Sequence, residues 1–319
     1  MTPAQLRAFS TVVRQGSVKR AAAQLGVSEA AVSLHIGQLR RELGDRLFAR
    51  TAAGLAFTPG GLRLASRATE LLGLQDRTVL EVSAAGRGRR LLRVAASSLF
   101  AEHAAPGLLE AFAKRAADLD VELSVRAPEQ FESLLMSRTV DIALGAHPLA
   151  GGRDPALTSR PVLNCRVVLT VAPQHPLAGV PAGAPRLREQ TWLLGPSAAA
   201  ATGVIPAMLR RLGIPEERQQ IFQSHAAALE EAKRGKGVAA ALSFTIAQDV
   251  AHGHLVHVTG PQVSSDAVWH SLFLAEPGTS PAAELSRFTA TPRAIQAMMR
   301  GAGVTAGHFK PSVHVTLWS

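Results

Sequence analysis

The sequence predicts an α + α/β chain: an N-terminal winged helix-turn-helix and a long linker helix, followed by a larger C-terminal α/β part. Three observations predict it. Residues 3–43 fall into three short amphipathic helices separated by glycines. From residue 91 onward, apolar strand-like runs alternate with helical ones. The positive charge is concentrated at the N-terminal end, where residues 1–90 hold 14 Lys/Arg against 6 Asp/Glu and the remainder 20 against 18.

Leu6, Phe9, Val12 and Val13 form the apolar stripe of a first helix, which Gly16 ends. Ser17 caps a short second helix, Val18–Leu25, whose Ala21, Ala22 and Leu25 can bury against the first. Only Gly26 and Val27 precede Ser28, the cap of a third helix with Ala31, Val32, Ile36, Leu39 and Leu43 on one face and Gly44 as its stop. So tight a turn between two helices, with small residues at their crossing, reads as a helix-turn-helix. The third helix's other face carries Glu29, Ala30, Ser33, Leu34 and His35. Mostly short or polar residues at the front of such a helix let its backbone approach base edges in a major groove.

Arg46–Arg50 and Gly54–Thr58 read as two strands around a glycine turn, a wing. Thr58-Pro59 opens a long helix to about Ala85. Its Leu64, Ala68, Leu71, Gln75, Thr78 and Val82 keep alternating four- and three-residue spacings, a seam suited to self-association. Gly86–Arg90 reads as a flexible basic hinge.

The α/β part begins with a strand at Leu91–Ala96. A helix from Ser97-Ser98 to about Arg115, a strand at Val121–Val125, a helix at Pro128–Ser137 and a buried strand at Val140–Gly145 follow. Such alternation implies parallel strands with crossover helices. A second set runs through Val167–Val171, Ile205–Leu212, Ala226–Arg234, Val238–Leu242 and Ile246–Ala251. The chain then returns through Val268–Leu274 and a helix near Pro281–Met299.

Composition narrows the function classes. The 319 residues are 47% hydrophobic, with no uninterrupted apolar run of membrane-spanning length. The single cysteine, Cys165, cannot staple the chain, and no export signal opens it, so a cytoplasmic setting is expected. Tyrosine is absent and aromatic residues make up 4%, which argues against stacking platforms for single strands. A formal charge of +10, carried mostly by the first 90 residues, is the footprint of a double-stranded DNA binder.

Phe9, Gly16-Ser17, Ala21-Ala22, Leu25, Ser28, Ala31-Val32-Ser33, Ile36, Leu39, Leu43-Gly44, Leu47-Phe48, Arg50, Thr58-Pro59 and Gly61 together closely resemble the LysR-type transcriptional regulator family. The resemblance is specific in the first 65 residues or so and looser beyond. His175-Pro176-Leu177-Ala178 and the Gly235-Lys236-Gly237-Val238-Ala239 run also resemble points of that family. It implies a C-terminal effector domain of two α/β lobes around a cleft, similar to type II periplasmic binding proteins. The expected segments are 1–58 for DNA binding, 59–90 for the linker, 91–162 with 268–300 for lobe I, 163–267 for lobe II, and a tail at 301–319. It further implies a homodimer or homotetramer, built through the linker helix and effector domain, that binds double-stranded DNA and a small-molecule effector without cofactor or membrane. Carried onto this chain, the DNA contacts are Ser17, Ser28, Glu29, Ala30, Ser33, Leu34, His35, Arg50 and Thr51. Glu29, Ala30, His35 and Arg40 depart from the family's usual residues, so its usual operator is not assumed.

For the cleft, Ser97, Ser98, Glu129, Gln130, Ser197, Thr202 and Ser224 are the candidate effector contacts. A small polar metabolite is expected, anionic if helix N-termini dominate and neutral if the Glu129 carboxylate faces it. The same serines also serve as helix caps. His252-x-His254-x-x-His257 is spaced for metal binding but equally for a polar turn. Cys165 has no resolving partner in the chain, so it reads as a buried spectator. No catalytic signature stands out. An enzyme or solute-binding module with an appended helical domain is the alternative reading.

Overall fold

The computed structural model describes residues 1–51, 54–85, 89–146, 154–275, 280–300 and 313–316. Within its helices and strands it describes all side chains but those at 50, 51, 54, 66, 76, 77, 80, 81, 83–85 and 313–316. The chain divides into two units, residues 1–87 with 136–139, and residues 88–135 with 140–319.

The first unit opens with α1 (Pro3–Gln15), capped by Thr2, whose hydroxyl accepts from the Gln5 amide while the Gln5 side chain accepts from the Thr2 amide. α2 (Val18–Leu25) and α3 (Glu29–Leu43) follow, capped by Ser17 and Ser28. All three helices end on a glycine in the left-handed region: Gly16, Gly26 and Gly44. Phe9, Val12, Ala21, Val32 and Leu39 form their common core, each 0% exposed. Strands β1 (Phe48–Thr51) and β2 (Gly54–Phe57) pair antiparallel, and α4 (Pro59–Ala85) follows. The α4 seam divides along its length: Leu64 and Ala68 are buried, whereas Leu71 and Val82 are exposed, as are the neighbouring Leu74 and Val79.

The second unit runs β3 (Arg90–Ala96), α5 (Ser98–His103), α6 (Ala105–Ala113), β4 (Leu119–Val125), α7 (Phe131–Met136) and β5 (Ile142–Gly145). β6 (Leu157–Val171), α8 (Ala184–Arg188), β7 (Trp192–Leu194), α9 (Val204–Leu212), β8 (Gln219–Ile221), α10 (His225–Lys233), β9 (Val238–Leu242), α11 (Ala247–Ala251) and β10 (Val256–His257) come next. β11 (Ser264–Leu274), α12 (Pro281–Thr289), α13 (Pro292–Arg300) and β12 (Val313–Thr316) complete it. The sheet order is β12-β4-β3-β5-β11-β6-β9-β7-β8, with β10 also on β6.

The sheet is mixed where parallel strands were expected. β3 pairs parallel with β4 and β5, and β7 with β8 and β9, but β6 and β11 run antiparallel to each other and to their neighbours β9 and β5. These two long strands pass from one half of the sheet to the other, with a register shift between Trp269 and His270. The first part of β6 escapes the sequence reading because Arg160, Asn164 and Arg166 interrupt its apolar pattern, as expected of a strand with one wetter face. Two expected single helices are each two. Pro106 fits only a first helical turn, so a new helix starts at Ala105, and Pro292 does the same for α13. Arg89 and Arg90 are not free hinge charges: Arg89 pairs with Asp120 at 2.8 Å and Arg90 with Asp118 at 2.7 Å, both on the second unit. Gly86, Arg87 and Gly88 lie outside the described residues, as does the tail apart from β12.

Candidate functional site

In the first unit, α3 presents the face the sequence predicts. Val32, Ile36 and Leu39 face the core, while Ser28, Glu29, Ala30, Ser33 and Leu34 are exposed, Leu34 by 57%. The Ser28 hydroxyl accepts from the Ala31 amide at 3.1 Å, which fixes the start of the helix without spending any of the front residues. His35 is half-buried, and its Nδ1 has no hydrogen-bond partner. Ser17 is also half-buried and accepts from the Arg20 amide at 3.4 Å, at the start of α2. Arg7, Arg14, Lys19, Arg20, Arg41 and Arg46 are all exposed on this unit. Arg50 and Thr51 lie on β1, with their side chains outside the described residues.

Arg40, one of the departures noted above, has a structural task. Its guanidinium donates to the Phe48 carbonyl at 2.8 Å and lies 4.7 Å from the centre of the Phe48 ring, tying α3 to the wing. Between them Leu47 takes a left-handed φ of 62°. Asp45 holds that turn, accepting from the Leu47 amide at 2.6 Å and the Thr58 hydroxyl at 2.7 Å. These two bonds, the Leu47 amide first, draw its carboxyl below the usual carboxylate range. Gly61 packs directly on the Leu47 carbonyl, where any Cβ would collide.

The second unit contains a cavity of about 780 Å³. Ser97, Ser98, Gln130, Ser197, Thr202 and Ser224 line it, so the structure brings six of the seven expected residues together. Glu129 stands just outside the lining, its carboxylate accepting from the amide of the lining residue Thr202 at 3.0 Å.

The wall is largely apolar, with Leu99, Leu123, Val204, Ile205, Leu242 and Trp269 among its residues. Ser97 makes no capping bond to α5, and its hydroxyl is buried without a partner, as is that of Thr202. Gly145 lets Ser97 sit so close, since a Cβ there would meet the serine side chain. Arg126 is the cationic side chain of the lining; it donates to the Val125 carbonyl at 3.3 Å and meets no carboxylate among the described residues.

Sequence reading missed Glu102 and His225. The Glu102 carboxylate, on α5, accepts from the amides of His225 and Ala226 at 2.9 and 2.7 Å and faces His225 Nδ1 at 2.7 Å. His225 Nε2 meets the Ser197 hydroxyl at 2.8 Å. Burial pushes the Glu102 carboxyl up, but the bonds from His225 and Ala226 outweigh it and hold it at about 2. Burial lowers neighbouring His103 to about 4, so its imidazole is uncharged at neutral pH. Nothing local marks these residues, because their partners come from the other half of the chain. Burial also pushes the Cys165 thiol up to about 12, which suits an unreactive position in the wall. His252, His254 and His257 do not converge on one point, whereas Glu102, His103 and His225 do. No helix among the described residues is long and apolar enough to cross a membrane.

Comparison with known proteins agrees with both halves. Residues 3–62 match the bacterial regulatory helix-turn-helix protein, lysR family, and residues 85–287 match the LysR substrate binding domain. The chain is 57% identical, over the full length of both proteins, to an uncharacterised HTH-type transcriptional regulator of Mycobacterium tuberculosis. It is 27% identical to the RuBisCO operon transcriptional regulator of Allochromatium vinosum, over 88% of this chain and 92% of that one. The crystal structure of CbnR, a LysR family transcriptional regulator, shares the fold with a TM-score of 0.54 at 20% identity, covering 95% of this chain and 100% of CbnR. The chain therefore belongs to the LysR family of helix-turn-helix transcriptional regulators, a DNA-binding domain joined to an effector-binding domain.

Proposed function

We propose that α3 enters the major groove and reads base edges through Glu29, Ala30, Ser33, Leu34 and His35. In this reading Ser17 and Ser28 contact the backbone at their helix starts, and Arg50 and Thr51 contact it from the wing. The observation that carries it is the α3 front itself, exposed at Glu29, Ala30, Ser33 and Leu34 and short or polar at all but Leu34, on a unit that also exposes Arg7, Arg14, Lys19, Arg20, Arg41 and Arg46. Phosphate attraction from those cations supplies sequence-independent affinity. The test is binding of the purified full chain to DNA from upstream of its own gene and to random DNA across a salt series. Both affinities should fall with salt, with the upstream DNA held more tightly. Arg50→Ala should weaken both alike and reduce the salt slope by about one unit.

The chain acts as a homodimer, or a dimer of dimers, through the exposed half of α4. Leu71, Leu74, Val79 and Val82 are large apolar side chains 42%, 45%, 60% and 67% exposed on one helix, a costly surface for a monomer. Two half-sites also give a single helix-turn-helix the reach that specificity needs.

The effector is a small molecule with an apolar body and one anionic or strongly accepting end. Its body suits the wall formed by Leu99, Leu123, Ile205 and Trp269. Its polar end suits Arg126, Ser98 and the unpartnered Ser97 and Thr202 hydroxyls, with Gln130, Ser197 and Ser224 around it. Glu129, bonded to the Thr202 amide at 3.0 Å, keeps its charge near the cavity edge, so the anionic end is expected on the Arg126 side. A ligand that fits one separation of the lobes better than another shifts their equilibrium, and with it DNA binding. A thermal-shift screen of small carboxylic acids, followed by calorimetry, tests it. A polyhydroxylated neutral ligand, or none, overturns this reading of the cavity.

A further inference from the structure

We propose that Glu102, His103 and His225 form a binding site for a divalent transition-metal ion such as Zn²⁺, joining α5 to α10 beside the effector cavity. Glu102 and His103 end α5, and His225 begins α10, so the three donors come from the two halves of the effector domain. Their ligand atoms all lie within 4.8 Å of one another, the one such group among the described residues. Two imidazoles and a carboxylate are a common donor set for such ions, and softer or harder ions prefer other sets.

The site is shielded and pre-oriented. His103 and His225 are buried, at 7% and 3% exposure, so their rings are held by packing. Metal bonds of about 2.0–2.2 Å place tetrahedral ligand atoms roughly 3.3 Å apart. Glu102 and His225 stand inside that separation, at 2.7 Å, and no pair of the three ligand atoms is more than 4.8 Å apart, so the donors already surround one point. When His225 Nδ1 takes the metal, the ring carries its proton on Nε2, where the Ser197 hydroxyl oxygen accepts it at the observed 2.8 Å. Ser197 thus serves as the outer-shell partner that orients the ring. The Glu102 oxygen bonded to the Ala226 amide keeps that bond. Because Glu102 and Ser197 also line the cavity, a bound ion would hold the two lobes together at the ligand's edge.

The experiment is titration of tag-free, chelator-stripped full-length protein with Zn²⁺ by calorimetry, and with Co²⁺ by visible absorption. The site predicts one ion per chain and a tetrahedral or five-coordinate cobalt spectrum without a thiolate charge-transfer band, since Cys165 is not a ligand. Ser197→Ala should weaken Zn²⁺ binding about 10–100-fold, and His103→Ala by more. The double variant His252→Ala/His254→Ala should bind as wild type does. Because the cobalt spectrum is read on wild-type protein, the proposal stays testable even if a variant folds poorly. It is overturned if wild type takes up no ion at micromolar metal. It is also overturned if binding survives His103→Ala, or disappears with the His252/His254 pair.

Discussion

Ser28 on α3 bonds an amide three residues along its own helix, whereas Glu102 on α5 bonds amides 123 and 124 residues away. α3 is held mainly by its Ser28 cap and a buried apolar stripe, which leaves its front residues exposed. The effector cavity is held by side chains that reach from one lobe to the other, as Glu129 also does to Thr202 across 73 residues. The exposed polar groups on the α3 front should tolerate change with little effect on folding. Those of the cavity bear on lobe geometry, so binding and stability are coupled there.

Charging the exposed half of α4 should have the largest effect. Val79→Glu with Val82→Glu should dissociate the oligomer, by sedimentation, and lower specific DNA affinity by orders of magnitude while the helix content holds. A dimer of unchanged stability would place the interface elsewhere.

The next contrast sets Glu102→Ala against Glu29→Ala. Removing Glu102 strands the His225 and Ala226 amides and should cost about 2–3 kcal/mol in denaturant unfolding of the effector domain. Removing the exposed Glu29 should cost less than about 1 kcal/mol. Equal losses would erase the distinction between local and cross-lobe anchoring. Arg40→Ala lies between them. Losing its bond and stacking on Phe48 should cost about 1–2 kcal/mol without altering which bases are preferred.

The pH dependence separates the regions as well. In chelator-treated protein, His103 resists protonation when folded, at about 4 against an ordinary 6.5, so its neutral burial favours folding fully above 6.5 and loses ground as pH falls toward 4. Glu102, held at about 2 against 4.5, contributes fully above 4.5 and is lost as pH falls toward 2. The effector-domain melting temperature should therefore decline in two overlapping stages, and His103→Gln should flatten the upper one. The mildest change is Ser97→Ala. Its hydroxyl has no partner to lose, so stability should hold while affinity for a cavity ligand drops roughly threefold to tenfold. A ligand bound equally by both proteins would move its polar end away from Ser97.

The same contrast explains what the sequence could disclose. Caps, glycine stops and apolar spacing are local, so α1, α2 and α3 and the exposed face of α3 were readable from residues 1–44. The serines and threonine of the cavity were readable because each stands beside a strand or helix end. Glu102–His225 and Glu129–Thr202 were not, since no local pattern records a bond between distant segments. Polar residues on the wet face of β6 disguised its first half, and Pro106 and Pro292 divided helices whose apolar pattern runs straight through.

Glu29 offers the plainest test of whether the front of α3 reads DNA. A carboxylate only accepts, and cytosine N4 is the base-edge donor that suits it, whereas glutamine pairs with adenine. Binding sites should be selected from a random DNA pool by the wild-type protein and by Glu29→Gln. Preference should change at one base pair of each half-site, by about 1–3 kcal/mol, with the other positions retained. Identical base preferences in the two selections would leave Glu29 as a charge at a helix end and no reader of bases.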